Sequence, residues 1–184
     1  ADLGSSTFSL APSAFHRKTR SSAKPLAVFA GAPNVGKSSL IAAISSGKPE
    51  IKSYPFTTKG VSLGHIKVKY DIIQVMDTPG LLDRPDTERN DMEKQGIAAL
   101  EHLEPVIVFL TDLSGTSGYS IGIQKALNDE LKTRYSNYSW IDVYSKSDLE
   151  PEFSLDYPNS ISVSVMDATG IEDLESELVR ICIL

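Results

Sequence analysis

One cysteine, Cys182, in 184 residues excludes an internal disulfide and fits a reducing compartment. No apolar run approaches the roughly 20 residues that a helix needs to cross a bilayer, so no membrane role is expected. The three histidines lack metal-ligand spacing, and there are no internal repeats. Basic residues are scarce in the body of the chain. Residues 50–184 hold twelve Lys and Arg against twenty-three Asp and Glu, whereas residues 1–49 hold six against one. An acidic body is a poor general ligand for nucleic acid, whose phosphates need Lys and Arg. Any RNA partner is therefore expected to be gripped mostly by regions outside this domain. What remains is ordinary globular composition, 41% hydrophobic and 23% charged, in a length that suits one domain with a sizeable core.

Two regions separate on composition. Residues 1–24 are rich in Ser, short of acids after Asp2, and dotted with His16, Arg17, Lys18, Arg20 and Lys24. They read as a flexible tail, and three explanations stay open: an organelle transit peptide, a solvated linker, or the cut end of a longer protein. Residues 25–184 alternate between strands and helices. Leu26–Ala30 is a short buried strand, followed by a turn and a helix to about Ser46. Gly60–Tyr70 and Asp71–Asp77 read as a hairpin, and Pro105–Leu110 as a strand covered on both faces. A helix over Ile121–Tyr135, strands at Trp140–Val143 and Ser160–Val165, and a closing helix over Ile171–Leu184 complete the pattern. Such alternation predicts an α/β fold: a mostly parallel six-stranded sheet with helices on both faces and ligands at the carboxyl ends of its strands.

Each chemically loaded motif falls at such an end. Gly31-Ala32-Pro33-Asn34-Val35-Gly36-Lys37-Ser38 is a complete G-x-x-x-x-G-K-S phosphate loop between a strand and a helix. Its backbone amides suit α/β-phosphates, Lys37 the β/γ oxygens, and the Ser38 hydroxyl a Mg²⁺ ion. Asp77-Thr78-Pro79-Gly80 ends the strand about 40 residues later. A carboxylate there can hold Mg²⁺ through water, and the Gly80 N–H can meet a γ-phosphate. Between them, Tyr54-Pro55-Phe56-Thr57-Thr58-Lys59-Gly60 reads as a switch whose threonine completes the Mg²⁺ shell, Thr58 being favoured over Thr57. Ser145-Lys146-Ser147-Asp148 reads the base. Asp148 can accept from guanine N1–H and N2–H₂, a donor pair adenine lacks, with the Lys146 stem across the purine. Ser164-Val165-Met166 follows the last strand, where a backbone N–H can reach guanine O6.

In this order the motifs resemble a translation-factor-related small GTPase of the P-loop NTPase fold. In detail the chain resembles the nucleolar GTP-binding protein 1 branch of the Obg group from about Lys24 onward. The matching stretches are Gly31 to Leu40, Tyr54 to Lys59, Gly64-His65, and Asp77-Thr78-Pro79-Gly80-Leu81-Leu82-Asp83-Arg84-Pro85. Glu88-Arg89-Asn90 with Glu93 and Gln95, Ala98 to Leu103, and Gly118-Tyr119-Ser120-Ile121 with Gln124 extend the match. The resemblance implies a monomeric Obg-type GTPase domain that binds GTP or GDP with Mg²⁺, hydrolyses GTP slowly, and serves assembly of the large ribosomal subunit. Pre-ribosomal contacts would then run through regions outside this domain. Ser145 departs from the family's usual Asn, which ties the base-reading loop to the phosphate loop. Organelle-type plant relatives look similar there. With the basic, Ser-rich start, this favours a plastid or mitochondrion over the nucleolus, the alternative.

Ras-like enzymes orient the attacking water with a glutamine directly after D-x-x-G; here Leu81 stands there. The water is expected to be aligned by the Thr58 backbone, by a partner, or by a monovalent cation. Asn34 is the residue type that coordinates K⁺ in related GTPases lacking the glutamine, although plain turn chemistry explains it equally well. The catalytic expectations are thus Lys37, Thr58 and Gly80, with a low intrinsic rate. A non-catalytic GTP-dependent scaffold is the rival reading, and Asp148 argues against an ATPase. The charged run Asp83 to Lys94 reads mainly as a solvated helix face, the alternative being a partner-binding surface that rearranges between GTP and GDP states.

Overall fold

The computed structural model describes residues 24–53, 60–77, 79 and 82–184. Expectations for the tail before Lys24 and for Phe56, Thr57, Thr58, Thr78, Gly80 and Leu81 lie outside the described residues. The elements run β1 (Leu26–Ala30), α1 (Lys37–Ile44), β2 (Glu50–Lys52), β3 (Val61–Val68), β4 (Asp71–Asp77), a 3₁₀ turn (Asp86–Glu88), α2 (Asp91–Glu101), β5 (Val106–Asp112), α3 (Ile121–Arg134), β6 (Trp140–Ser145), β7 (Ile161–Ser162) and α4 (Ile171–Cys182).

The strands form one sheet in the order β2-β3-β4-β1-β5-β6-β7. The β3–β4 hairpin and the β2–β3 pairing are antiparallel, and every other pairing is parallel. Among the described residues the sheet thus has seven strands rather than the expected six. The added strand, Glu50-Ile51-Lys52, is exposed at all three positions. It lies on an edge, held by backbone pairing to β3 alone, and so carries no alternating apolar signature.

Strands β1 and β5 are buried at every position, as continuous apolar runs demand when helices cover both sheet faces. The period of two splits their side chains cleanly. Ala27, Phe29, Val108 and Leu110 pack with Leu40, Ile41 and Ile44 of α1 and Leu174 and Leu178 of α4. Leu26, Val28, Ile107 and Phe109 pack on the other face with Ile97 and Leu100 of α2 and Leu127 and Leu131 of α3. Fully burying each of the Val, Leu, Ile and Phe side chains contributes about 1.5–3 kcal/mol. Helix α2 starts at a capping box: the Asn90 side chain accepts from the Glu93 N–H at 2.8 Å, and the Asn90 N–H donates to the Glu93 carboxylate at 3.0 Å.

The chain crosses from β1 to one side of the sheet and later fills the other side from β5. The carboxyl end of β1, between β4 and β5, is therefore the topological switch point where such sheets bind ligands.

Candidate nucleotide site

The phosphate loop sits at that point. Gly31, Asn34 and Gly36 have φ of 134°, 63° and 101°, so the loop turns sharply between strand and helix. At Gly31 only glycine fits, because a Cβ would stand 2.5 Å from the Leu110 carbonyl oxygen. Ala32 and Val35 are buried beneath the loop, Pro33 is half-buried and Asn34 is exposed. Gly36 caps α1 without a side-chain hydrogen bond, which leaves the helix's first amides and its positive dipole end available to an anion. Lys37 is buried and donates to the carbonyl oxygens of Gly31 and Ala32, both at 2.9 Å. Burial lowers its pKa, and the charges of Asp77 and Asp83 oppose that shift.

Ser38, at the start of α1, donates its hydroxyl proton to Oδ2 of Asp77 at the end of β4. Asp77 is buried, and its Oδ1 has no hydrogen-bond partner among the described residues. These donors suit Mg²⁺. The described residues contain no cluster of three or more His, Cys, Asp and Glu that could cage a metal. A magnesium ion instead takes one or two protein oxygens and leaves its remaining positions to phosphates and waters. Half-buried Pro79 follows. The Leu82 carbonyl accepts from the Gly31 N–H at 3.0 Å, which brings the segment after the D-x-x-G turn onto the phosphate loop.

The loop expected to read the base leaves β6, two strands from β1. Ser145 is buried, and its hydroxyl lies 3.4 Å from the Thr111 carbonyl on β5. Lys146, at φ 56°, donates to Asp112 Oδ2 and to Thr116 Oγ1, both at 2.8 Å. Asp148 is exposed, inside a turn closed by Leu149 N–H on the Lys146 carbonyl at 3.0 Å. Strand β7 is short, so Ser164, Val165 and Met166 lie in the loop beyond it. Ser164 is buried and its Oγ accepts from Met166 N–H at 3.1 Å. Val165 and Met166 are exposed. The described site residues thus gather at the carboxyl ends of β1, β4, β6 and β7.

Sequence reasoning missed two groups. Asp112, at the end of β5, is a buried acceptor for the whole loop that follows; Gln124, in a matched stretch, was its one trace. The other group belongs to the run Asp83 to Lys94, which is not a uniformly solvated face. The Arg89 side chain is fully buried, donating to the Arg84 carbonyl at 2.6 Å and to Asp86 at 3.3 Å. Arg84 pairs with Glu93, and Asp86 also pairs with Arg134 of α3 at 2.9 Å.

A doubly wound sheet with a phosphate loop at its switch point, a Ser–Asp pair beside it and a Lys-x-Asp loop two strands away defines a P-loop GTPase domain. Residues 26–146 match the family described as 50S ribosome-binding GTPase. Nucleolar GTP-binding protein 1 of Arabidopsis thaliana is 38% identical over 153 residues, covering 83% of this chain and 22% of that protein. An uncharacterized protein of Methanocaldococcus jannaschii is 51% identical over 108 residues, covering 59% of this chain and 30% of that one. The crystal structure of a Plasmodium falciparum protein assigned as nucleolar GTP-binding protein 1 superposes with a TM-score of 0.75. It is 30% identical, and the match covers 89% of each chain. The chain belongs to the nucleolar GTP-binding protein 1 family of P-loop GTPases. It spans less than a third of the length of these two curated relatives.

Proposed function

We propose that this domain binds GTP and hydrolyses it slowly to GDP, as the switch of a factor in large ribosomal subunit assembly. The meeting of Lys37, Ser38 and Asp77 at the mouth of the phosphate loop carries the reading. Lys37 exchanges its two loop carbonyls for β/γ-phosphate oxygens, while the amides of residues 31–36 hold the α/β-phosphates. Ser38 and Asp77, with Thr58, would hold Mg²⁺, and that ion would supply neutralisation of the charge developing on the transferred phosphoryl group. Thr58 and the Gly80 N–H engage the γ-phosphate, with Phe56, Thr57, Thr78 and Pro79 lining the switch. Asp148 accepts from guanine, Lys146 covers the purine with its methylene stem, Ser145 supports that loop, and the Ser164–Met166 backbone meets O6.

Positioning and charge neutralisation carry most of phosphoryl transfer. Leu81 offers neither donor nor acceptor to the attacking water, so the unaided rate is low and a partner raises it. Exposed Asn34 on the phosphate loop is the K⁺ ligand of this proposal.

Single-turnover hydrolysis of radiolabelled GTP, with Lys37→Ala as control, is the test. Slow release of phosphate by the wild type and none by the variant is expected, with faster release in potassium than in sodium. Equal rates in the two salts remove the Asn34 cation. A wild-type rate no higher than that of Lys37→Ala in either salt leaves the scaffold reading.

The family name of the relatives supports a nucleolar pre-ribosome as partner, and the composition of residues 1–24 supports an organellar one. Copurification of the full-length protein with nuclear or organellar pre-ribosomes separates the two.

A further inference from the structure

We propose that Asp112 is a positioning residue for guanine recognition: by holding Lys146 it fixes the base-reading loop, in place of the asparagine tether that Ser145 has lost. The inference rests on the reading of Asp148 as the guanine-binding carboxylate, and adds to it a residue outside the motif.

Asp112 is fully buried at the end of β5, paired in register with Ser145 of β6. Its Oδ2 accepts from Lys146 Nζ at 2.8 Å, the Ser117 N–H at 2.8 Å and Thr116 Oγ1 at 3.2 Å. Its Oδ1 accepts from the Ser114 N–H at 2.9 Å and the Ser114 hydroxyl at 2.5 Å. Burial opposes ionisation, but the donors from Lys146 and Ser114 outweigh it and hold the carboxyl below its ordinary range. The backbone of Asp112 is clamped as well. Its N–H donates to Gln124 Oε1 at 2.8 Å, and its carbonyl accepts from Gln124 Nε2 at 3.0 Å. Gln124 is itself fully buried in α3 and gives its other amide hydrogen to the Tyr119 carbonyl at 2.9 Å. Asp112 is therefore a fixed anion, not a mobile surface charge.

Lys146 needs such an anchor. Its backbone is left-handed, a sparsely populated state for a residue with a Cβ. The Asp148 turn begins at its carbonyl, through the Leu149 N–H, and Ser147 N–H donates to the Val163 carbonyl at 3.0 Å. The Ser145 hydroxyl reaches only the β5 backbone, at 3.4 Å. Position passes from Asp112 to Lys146 and from Lys146 to the turn that presents Asp148. Loosening the first link costs base recognition without touching a phosphate ligand.

A double-mutant cycle on GDP affinity distinguishes this from a general role in folding. Wild-type GDP binding is measured first and tests the guanine reading by itself. Asp112→Asn keeps the shape and removes the charge; it is expected to weaken GDP binding about tenfold, a loss of about 1.4 kcal/mol. In a Lys146→Met background the same change is expected to shift the GDP Kd by less than about twofold, because the link it breaks is already gone. A wild-type Kd in a folded Asp112→Asn protein overturns the proposal, and so does a full tenfold loss that persists in the Lys146→Met background. Should Asp112→Asn fail to fold, Thr116→Val on the exposed side of the loop removes the hydroxyl that accepts from Lys146 Nζ and donates to Asp112 Oδ2, and so loosens the same link. It is expected to weaken GDP about two- to threefold, and an unchanged Kd there overturns the proposal equally.

Discussion

The Ser38 hydroxyl donates to an Asp77 carboxylate oxygen across 39 positions of sequence, joining the first turn of α1 to the end of β4. The other Asp77 oxygen is buried and finds no hydrogen-bond partner among the described residues. Two protein oxygens held together in this way would supply part of an octahedral magnesium shell, the remaining positions falling to nucleotide phosphates, waters and the Thr58 of the proposal. Ser38→Ala is expected to weaken GTP binding about tenfold in magnesium and hardly at all in excess chelator. Titration of a fluorescent GTP analogue under both conditions checks it; an equal loss in both would assign Ser38 to packing alone.

With Lys37 on the phosphates, as proposed, nucleotide binding is expected to depend on pH. Burial depresses its pKa below that of an ordinary lysine, although Asp77 and Asp83 pull the other way. Phosphates favour the charged ammonium, so the complex retains the proton to a higher pH than the free domain. Between those two pKa values binding takes up a proton, and affinity falls as pH rises. For stability without nucleotide the sign reverses. The unfolded chain holds the proton to higher pH than the folded domain, so in that window folding gains with rising pH. Calorimetry through the alkaline range below the ordinary lysine pKa, in two buffers of different ionisation enthalpy, is expected to give different apparent heats. Identical heats would contradict the proton uptake.

Arg89 ties the segment after the D-x-x-G turn to the rest of the domain. It bonds the Arg84 carbonyl and Asp86, and Asp86 bridges onward to Arg134 of α3. Because Asp86 is half-exposed and keeps Arg134, Arg89→Ala leaves no isolated buried charge. Its cost is expected to be about 1–2 kcal/mol, mostly lost packing and hydrogen bonds. Hydrogen exchange is expected to quicken in α2 while β1 and β5 stay protected; uniform acceleration would show that Arg89 supports the whole fold.

Gly170 starts α4 in the left-handed region at φ 66°, and a Cβ there would overlap the Ser162 carbonyl oxygen of β7. Backbone cannot move aside as a flexible side chain would. Gly170→Ala is expected to destabilise the domain by about 2–4 kcal/mol, read as a lower urea midpoint. A change under about 0.5 kcal/mol would contradict the close packing.

The sequence announced what local chemistry can announce. Apolar runs marked β1 and β5, the alternation from Val61 to Val68 beside the apolar run Ile72 to Met76 marked the hairpin, and the glycines of the phosphate loop stood at positions whose φ demands or favours them. Strand β2 was hidden because three exposed residues on an edge have no pattern. Buried Arg89 was hidden because an arginine between acids reads as solvated until its neighbours are known to fold over it. Asp112 was hidden for a related reason. Its lysine partner is 34 residues away, and an aspartate closing an apolar strand looks like a turn former until β5 and β6 are paired. In each case long-range packing, rather than local preference, decided the structure.

The most direct measurement is a calorimetric titration of the folded domain, in magnesium, with GDP and then ADP, repeated on Asp148→Asn. The account predicts that GDP binds far more tightly than ADP and that the variant loses this preference while keeping its fold. Equal affinity for the two nucleotides in the wild type, or an undiminished guanine preference without the Asp148 carboxylate, would contradict it.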